Sequence, residues 1–493
     1  MTDINIDDLM TSSGVQFGTS GVRGLVVDMT DQVCWLYVSA FLQYLKDSNQ
    51  LPAGGRVAVA GDLRFSSPRI MAAAMTAIGD HGYTPVNCGH IPSPAVALYG
   101  FTHKIPSMMV TGSHIPDDRN GIKFNLPTGE ILKADELAIR RQSVLLLEDK
   151  FDETGTLTGL AELPNISNDA HDLYVDRFVN FFPPACLSGK TIGLYEHSSV
   201  SRDCLKLILE RLGASVTSLG RSDQFISVDT EAIRPEDVQL AKEWAKEVDF
   251  DCIISTDGDG DRPLVSDEKG NWLRGDVAGI LCAQFLGADD VVTPISSNSA
   301  VEHSGYFGSV QRTRIGSPYV IEAMTSLLTT GKTVVGYEAN GGFLQATVLK
   351  YSDRIMAPLP TRDAAIVPLT ILLLADSQSL TISGLLKTLP ARYTASDRLK
   401  QFPTDVSQTI LAEMKTDDRK LNLAVIAQRF PDLGKPVEIN IIDGVRMTFD
   451  SGDIVHLRPS GNAPELRCYT ESATEEQAVK LNQDCITRMK TWY

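Results

Sequence analysis

Strand, helix and strand follow one another between Arg56 and Cys88, and that order constrains the fold more than any other feature of the chain. Arg56-Val-Ala-Val-Ala60 reads as a buried strand. Ser67 is placed to cap a helix with Pro68 at its first position. Ile70, Met71, Ala74, Met75 and Ile78 form one apolar face before Gly82. Tyr83 to Cys88 returns as a strand, which completes a βαβ unit. The order recurs at Thr191-Ile-Gly-Leu-Tyr195, a helix from Ser201 to Leu212, a stop at Gly213 and a strand from Ala214 to Leu219. It recurs again at Val291 to Ile295 and Ser309 to Ile315, with a helix begun by Ser317-Pro318. The copies share strand–helix order, not close sequence identity. The tail differs: Val437–Ile442, Val445–Phe449, Ile454–Leu457 and Glu465–Thr470 are close-set strands, and a helix from about Glu475 to Lys490 closes the chain. The expected fold is α/β, with three successive mixed α/β domains plus a C-terminal antiparallel α+β domain around a central cleft.

A length of 493 residues fits roughly three to four domains of ~150 residues. The expected boundaries are 1–160, 161–276, 277–388 and 389–493. The acidic opening Met-Thr-Asp-Ile-Asn-Ile-Asp-Asp has no apolar core and is not a signal peptide. The longest apolar run, Ala364 to Ala375, is too short to span a bilayer and reads as a buried helix. Eight cysteines without a C-x-x-C pair read as buried thiols in a reducing, cytoplasmic compartment. A net charge of −17 argues against nucleic acid as a partner. It also means that an anionic substrate must be met by a local cluster of basic groups.

Four stretches carry chemistry, and a fifth supports them. The apolar run Ser107-Met-Met-Val110 stops at Thr111-Gly112, and Ser113 and His114 follow in a loop of turn formers that leads to Asn120-Gly-Ile-Lys123. A hydroxyl at the end of a buried strand, beside a histidine and shortly before a lysine, is placed for group transfer; the plain reading is a polar turn whose serine caps a helix. Asp257-Gly-Asp-Gly-Asp261-Arg262 follows an apolar strand. Asp257, Asp259 and Asp261 can point at one hard cation, which suits Mg²⁺ or Ca²⁺. An EF-hand loop would need glycine where Arg262 stands, and helical flanks. Gly336-Tyr-Glu-Ala-Asn-Gly-Gly342 sets Glu338 and Asn340 to clamp neighbouring sugar hydroxyls, or is simply a turn. Arg458-Pro-Ser-Gly-Asn-Ala-Pro464 offers Arg458, Ser460, Asn462 and the backbone N–H groups exposed by Gly461 as a phosphate nest, with an ordinary Pro-Gly turn as the alternative. Near the start, Phe17-Gly-Thr-Ser-Gly-Val-Arg-Gly24 reads as a loop that brings Arg23 to an anion.

Together and in this order, Thr111-Gly-Ser-His114 with Asn120-Gly-Ile-Lys123, Asp257-Gly-Asp-Gly-Asp-Arg262, Gly336-Tyr-Glu-Ala-Asn-Gly341 and Arg458-Pro-Ser-Gly461 resemble the α-D-phosphohexomutases. These are the phosphomannomutases, phosphoglucomutases and phosphoglucosamine mutases, and the resemblance is greatest to a bacterial phosphomannomutase. It runs along essentially the whole chain. It implies a four-domain enzyme with one motif loop per domain around a central cleft. Ser113 would carry the phosphoryl group, and Asp257, Asp259 and Asp261 would bind Mg²⁺ together with an oxygen of that phosphate. Arg23, His114, Lys123 and Arg262 would act as acid, base or charge stabilisers. Glu338 and Asn340 would hold sugar hydroxyls, and Arg458, Ser460, Gly461 and Asn462 the substrate's own phosphate. The implied partner is a small hexose phosphate, the implied activator a hexose 1,6-bisphosphate, and the expected state a monomer or homodimer. Its product would feed nucleotide-sugar synthesis.

Three departures from the family pattern stand out. Asn340 and Gly342 replace the serine and histidine that many bacterial relatives carry in the sugar loop. The phosphate loop reads Ser460-Gly-Asn-Ala-Pro464 in place of Ser-Gly-Thr-Glu-Pro. The first loop reads Ser20-Gly-Val-Arg-Gly24, nearer the phosphoglucosamine and archaeal-type branches. Mannose phosphate ranks first as substrate, glucose phosphate second and glucosamine phosphate third. A Mg²⁺-dependent sugar phosphatase and a silent sugar-phosphate-binding protein are the readings from other classes.

Overall fold

The computed structural model describes residues 2–18, 20–146, 148–159, 163–460 and 464–492. Three successive α/β sheets share one strand order. In the first, Arg56–Gly61 lies parallel between Thr84–Asn87 and Ser107–Val110, and Ser107–Val110 then pairs antiparallel with Arg119–Leu126. In the second, Thr191–Tyr195 lies parallel between Ser215–Leu219 and Cys252–Thr256, and the latter pairs antiparallel with Pro263–Val265. In the third, Asp290–Pro294 lies parallel between Ser309–Thr313 and Val334–Tyr337, and the latter pairs antiparallel with Phe343–Gln345. The third strand of each sheet is therefore followed by a short reversal, at 111–118, 257–262 and 338–342. An antiparallel partner needs no crossover helix, so these loops stay short. They gather polar residues at the carboxyl ends of parallel strands, where open α/β sheets bind ligands.

The C-terminal sheet is antiparallel throughout, in the order Tyr393–Lys400, Glu465–Ser472, Ile454–Pro459, Val445–Phe449 and Pro436–Asn440, with the helix Glu475–Met489 packed on it. The run at 364–375 is the buried helix expected there: Ile366–Ser377 packs against Gly275–Phe285. No helix among the described residues is long and apolar enough to cross a membrane. All eight cysteines are free thiols, seven of them buried.

Three expectations are corrected. Arg23 lies on a strand, Gly21–Leu25, paired with Arg119–Leu126, and not in a loop. Gly21 is there for close approach, since a Cβ on it would sit 2.0 Å from the Ile122 carbonyl oxygen. Ser67 is the first residue of its helix, Ser67–Asp80, and caps nothing; its hydroxyl donates instead to Asp62 Oδ1 at 2.5 Å. The tail also holds more than its sequence announced. Tyr393–Lys400 is a half-exposed edge strand without an apolar run, and Thr404–Glu413 and Arg419–Arg429 are short helices.

Candidate active site

Ser113 sits in the first reversal with φ +56°, left-handed backbone that a non-glycine residue adopts only where its surroundings impose it. Those surroundings centre on Arg64. Its guanidinium donates to four carbonyls, those of Ser113 (2.8 Å), Ile115 (2.6 Å), Pro116 (2.8 Å) and Arg119 (3.2 Å). Gly112 makes room for it, because a Cβ there would lie 2.6 Å from Arg64 Cζ. Arg64 is itself paired with buried Asp62 at 3.1 Å, and Asp62 accepts from Thr111 Oγ1 at 2.8 Å. Thr111 Oγ1 in turn accepts the Ser113 N–H at 2.7 Å. The N–H and carbonyl of Ser113 are both held in this way, and the turn caps no helix.

Ser113 Oγ donates to Asp257 Oδ2 at 2.7 Å across the boundary between the first and second sheets. Asp257, Asp259 and Asp261 are fully buried or nearly so, with one oxygen from each within 4.8 Å of the others. Ser93 Oγ and Lys123 Nζ both donate to Asp259 Oδ2, at 2.5 and 2.6 Å; Lys123 Nζ also reaches Asp261 Oδ2 at 2.7 Å, and Arg362 Nε reaches it at 3.0 Å. Burial and the neighbouring Asp259 and Asp261 push the Asp257 carboxyl well above the usual range. Burial also acts to raise Asp259 and Asp261, but Lys123 and Arg362 outweigh it and hold both below the usual range. Burial pulls the Lys123 ammonium down, and Asp259 and Asp261 more than reverse this. Asp259 Oδ1 and Asp261 Oδ1 remain buried without a hydrogen-bond partner. Two orphaned carboxylate oxygens beside a raised carboxyl fit an oxygen-seeking divalent cation, which would satisfy the first two and keep the third ionised.

A cavity of about 120 Å³ opens on this cluster, lined by Arg23, Ser113, His114, Lys123, Arg262 and Arg362 among others. All five residues expected to act on the phosphoryl group thus share one pocket. Burial and then Arg262 lower Arg23 to about 10, so it still carries its charge. His114 Nδ1 lies 2.9 Å from Arg262 Nη1. Arginine only donates, so Nδ1 accepts and the neutral ring carries its proton on Nε2. Burial, then Arg262, pushes this histidine down to about 4.

The sugar loop joins through Arg362, which donates to Asp261 and, at 3.3 Å, to Glu338 Oε2. Glu338 is buried; Asn340 Oδ1 accepts from the Gly342 N–H at 2.9 Å and so braces its own loop. Neither lines the cavity at Ser113. Arg458 and Ser460 lie apart as well, on the hairpin of the C-terminal sheet. Arg458 Nε donates to Asp443 Oδ1 at 2.9 Å, and Asp443 Oδ2 accepts the Ile315 N–H of the third domain at 3.1 Å. Ser460 is buried, with its N–H on the Glu465 carbonyl. Gly461 and Asn462 lie outside the described residues. Arg64, Ser93 and Arg362 were missed from the sequence. Arg64 stands in Gly61-Asp-Leu-Arg64, where the charged pair after a buried strand was the available signal; Ser93 and Arg362 reach their partners over 166 and 101 residues and left none.

Comparison with known proteins gives one consistent result. Four sequence families match in turn: phosphoglucomutase/phosphomannomutase alpha/beta/alpha domain I at residues 14–144, domain II at 172–270, domain III at 274–393 and the C-terminal domain at 411–487. The chain is 42% identical to a phosphomannomutase of Salmonella muenchen over 487 residues, which cover 99% of this chain and 98% of the relative. It is 43% identical to a phosphomannomutase of Sinorhizobium fredii over 469 residues, covering 95% and 97%. Among solved structures, a phosphoglucomutase/phosphomannomutase family protein from Burkholderia thailandensis superposes with a TM-score of 0.72 at 19% identity, covering 96% of each chain.

Proposed function

The chain belongs to the phosphoglucomutase/phosphomannomutase family, and from that premise we propose that it interconverts mannose 6-phosphate and mannose 1-phosphate through phosphorylated Ser113. It is a phosphohexomutase, most like the bacterial phosphomannomutases. The observation that carries the mechanistic reading is the single pocket in which Ser113 Oγ touches Asp257 while Arg23, Lys123, His114 and Arg262 converge. Four basic or hydrogen-donating groups in one small cavity meet a phosphoryl group against a global charge of −17. Mg²⁺, held by Asp257, Asp259 and Asp261, would neutralise charge on the transferring phosphoryl group.

In the first half-reaction the free hydroxyl of a hexose monophosphate attacks the phosphorus on Ser113. The bond to Ser113 Oγ breaks, and Oγ takes up the proton that the hydroxyl gives up, leaving a hexose 1,6-bisphosphate. His114 donates from Nε2, and Arg23 and Arg262 hold the oxygens of the phosphoryl group. The bisphosphate then turns in the cleft so that its other phosphate faces Ser113, and the reverse transfer regenerates phosphoserine. Glu338 and Asn340 hold ring hydroxyls, and Arg458 with Ser460 takes the distal phosphate. A hexose 1,6-bisphosphate therefore serves as the activator that charges Ser113. Eight free cysteines fit a reducing, cytoplasmic setting.

The test is a substrate panel: purified enzyme with Mg²⁺ and a trace of hexose bisphosphate, given mannose, glucose and glucosamine phosphates, with Ser113→Ala alongside. Turnover greatest for mannose phosphates and abolished in Ser113→Ala is expected. Phosphate release with no 1-to-6 interconversion of any sugar would overturn the reading in favour of a phosphatase.

A further inference from the structure

The stretch between the strand Ser215–Leu219 and the helix Pro235–Glu247 belongs to the second domain but reaches both of its neighbours. Phe225 stacks on Arg64, its ring centroid 3.9 Å from the guanidinium carbon. Ser227 Oγ donates to the His114 carbonyl. Thr230, buried, donates from Oγ1 to the Asn340 carbonyl at 2.7 Å. Within six residues the chain is thus fastened to the Ser113 loop at one end and the sugar loop at the other. Val228 is fully buried between them. Asp229 Oδ1 accepts the N–H groups of Glu231 (2.9 Å) and Ala232 (3.3 Å), which fixes the turn just after Thr230.

Glu231 follows that anchored turn with its side chain open to solvent yet closely surrounded by protein, and this burial raises its carboxyl above the usual range. Its carboxylate makes no hydrogen bond among the described residues, and its charged neighbours are Arg274, Asp229, Arg262 and Asp276. Tyr469 feels it from the C-terminal sheet, together with Arg467 and Arg458. Glu231 therefore stands between Arg262 of the Ser113 cavity and the arginines of the C-terminal hairpin. A hexose bisphosphate that used both clusters would place its ring between them, beside Glu231. A carboxylate there repels phosphate but suits hydroxyls, since it only accepts and can take two donors. We infer that Glu231 binds ring hydroxyls of the hexose phosphate, a substrate contact outside the four motif loops. The inference rests on the phosphohexomutase reading above.

The test compares wild type, Glu231→Gln and Glu231→Ala with mannose 1-phosphate, glucose 1-phosphate and a series of singly deoxygenated hexose 1-phosphates. Unchanged urea melts check that each substitution leaves folding intact. Glu231→Ala lowers kcat/KM by roughly 10- to 100-fold, the size expected for a lost hydrogen bond to a charged group. For at least one deoxy sugar the wild-type penalty for the missing hydroxyl shrinks or disappears in Glu231→Ala, because the two changes delete the same contact. Equal kcat/KM in all three proteins, or deoxy penalties that are the same in wild type and Glu231→Ala, would overturn the inference. Failure of the wild type to turn over any hexose phosphate would instead sink the functional reading beneath it.

Discussion

The arginine that holds the Ser113 loop is fully committed to the protein itself, whereas the arginines of the C-terminal hairpin keep donors in reserve. Arg64 is fully buried, binds four carbonyls and pairs with Asp62, so the loop bearing Ser113 is locked before any substrate arrives. Arg458 is partly exposed and, among the described residues, pairs with the carboxylate of Asp443, and Arg467 Nε is buried without a hydrogen bond. The transferring group needs a geometry held to fractions of an ångström, and a buried, fully bonded arginine provides it. On the proposed mechanism the distal phosphate arrives, leaves and returns as the other end of the same sugar, so its donors would have to stay free to be taken up.

The strongest way to break this contrast is at its centre. Ser113→Ala should cost at least about 10³-fold in kcat, as loss of a nucleophile does, and leave Ser113-dependent phosphorylation undetectable by intact mass after incubation with hexose bisphosphate. Arg64→Met, which never touches substrate, should lose about 3–5 kcal/mol of stability in urea melts because it strands the Asp62 charge in the interior, and activity should fall with it. Retention of wild-type stability in Arg64→Met would show that the Ser113 loop is not held as described. Arg458→Ala should behave in the opposite way. Its pair with Asp443 is partly exposed and worth up to about 1 kcal/mol, while KM should rise roughly 10-fold or more through the lost phosphate contact, with kcat less affected.

The smallest effect sharpens the contrast through pH. His456 in the C-terminal sheet donates from Nε2 to the Asp443 carbonyl at 2.7 Å, and burial pushes it down to about 4 from an ordinary 6.5. Between those values the unfolded chain takes up a proton that the folded chain refuses. The contribution of His456 to stability is therefore complete above about 6.5 and is lost as pH falls towards 4. Urea midpoints should drop between pH 7 and pH 5, and the drop should be smaller in His456→Gln. An identical pH dependence in the variant would remove His456 from the account.

Much of the site was legible because its parts are short and contiguous. The carboxylates of Asp257, Asp259 and Asp261 alternate along five residues, and the hydroxyl, histidine and lysine of Ser113, His114 and Lys123 fall within eleven. Each group follows an apolar strand that announces where the loop begins. The run at 364–375 was legible for the same reason, since an apolar segment of that length, with Thr370 as its one polar residue, has nowhere to go but the interior. Strand Tyr393–Lys400 was not, because an edge strand with a polar sequence is specified by its partner Glu465–Ser472 and not by its own periodicity.

The sequence by itself determined three α/β units, an antiparallel tail and the chemistry of the reversal loops, because strand, helix and turn preferences act over a few residues. Only the tertiary structure decided which distant residues complete the site. Ser93 meets Asp259, Arg362 joins Asp261 to Glu338, and Thr230 reaches Asn340, each across a domain boundary or a long stretch of chain. Their positions follow from how the sheets pack against one another, and no local pattern in the residues around them carries that information.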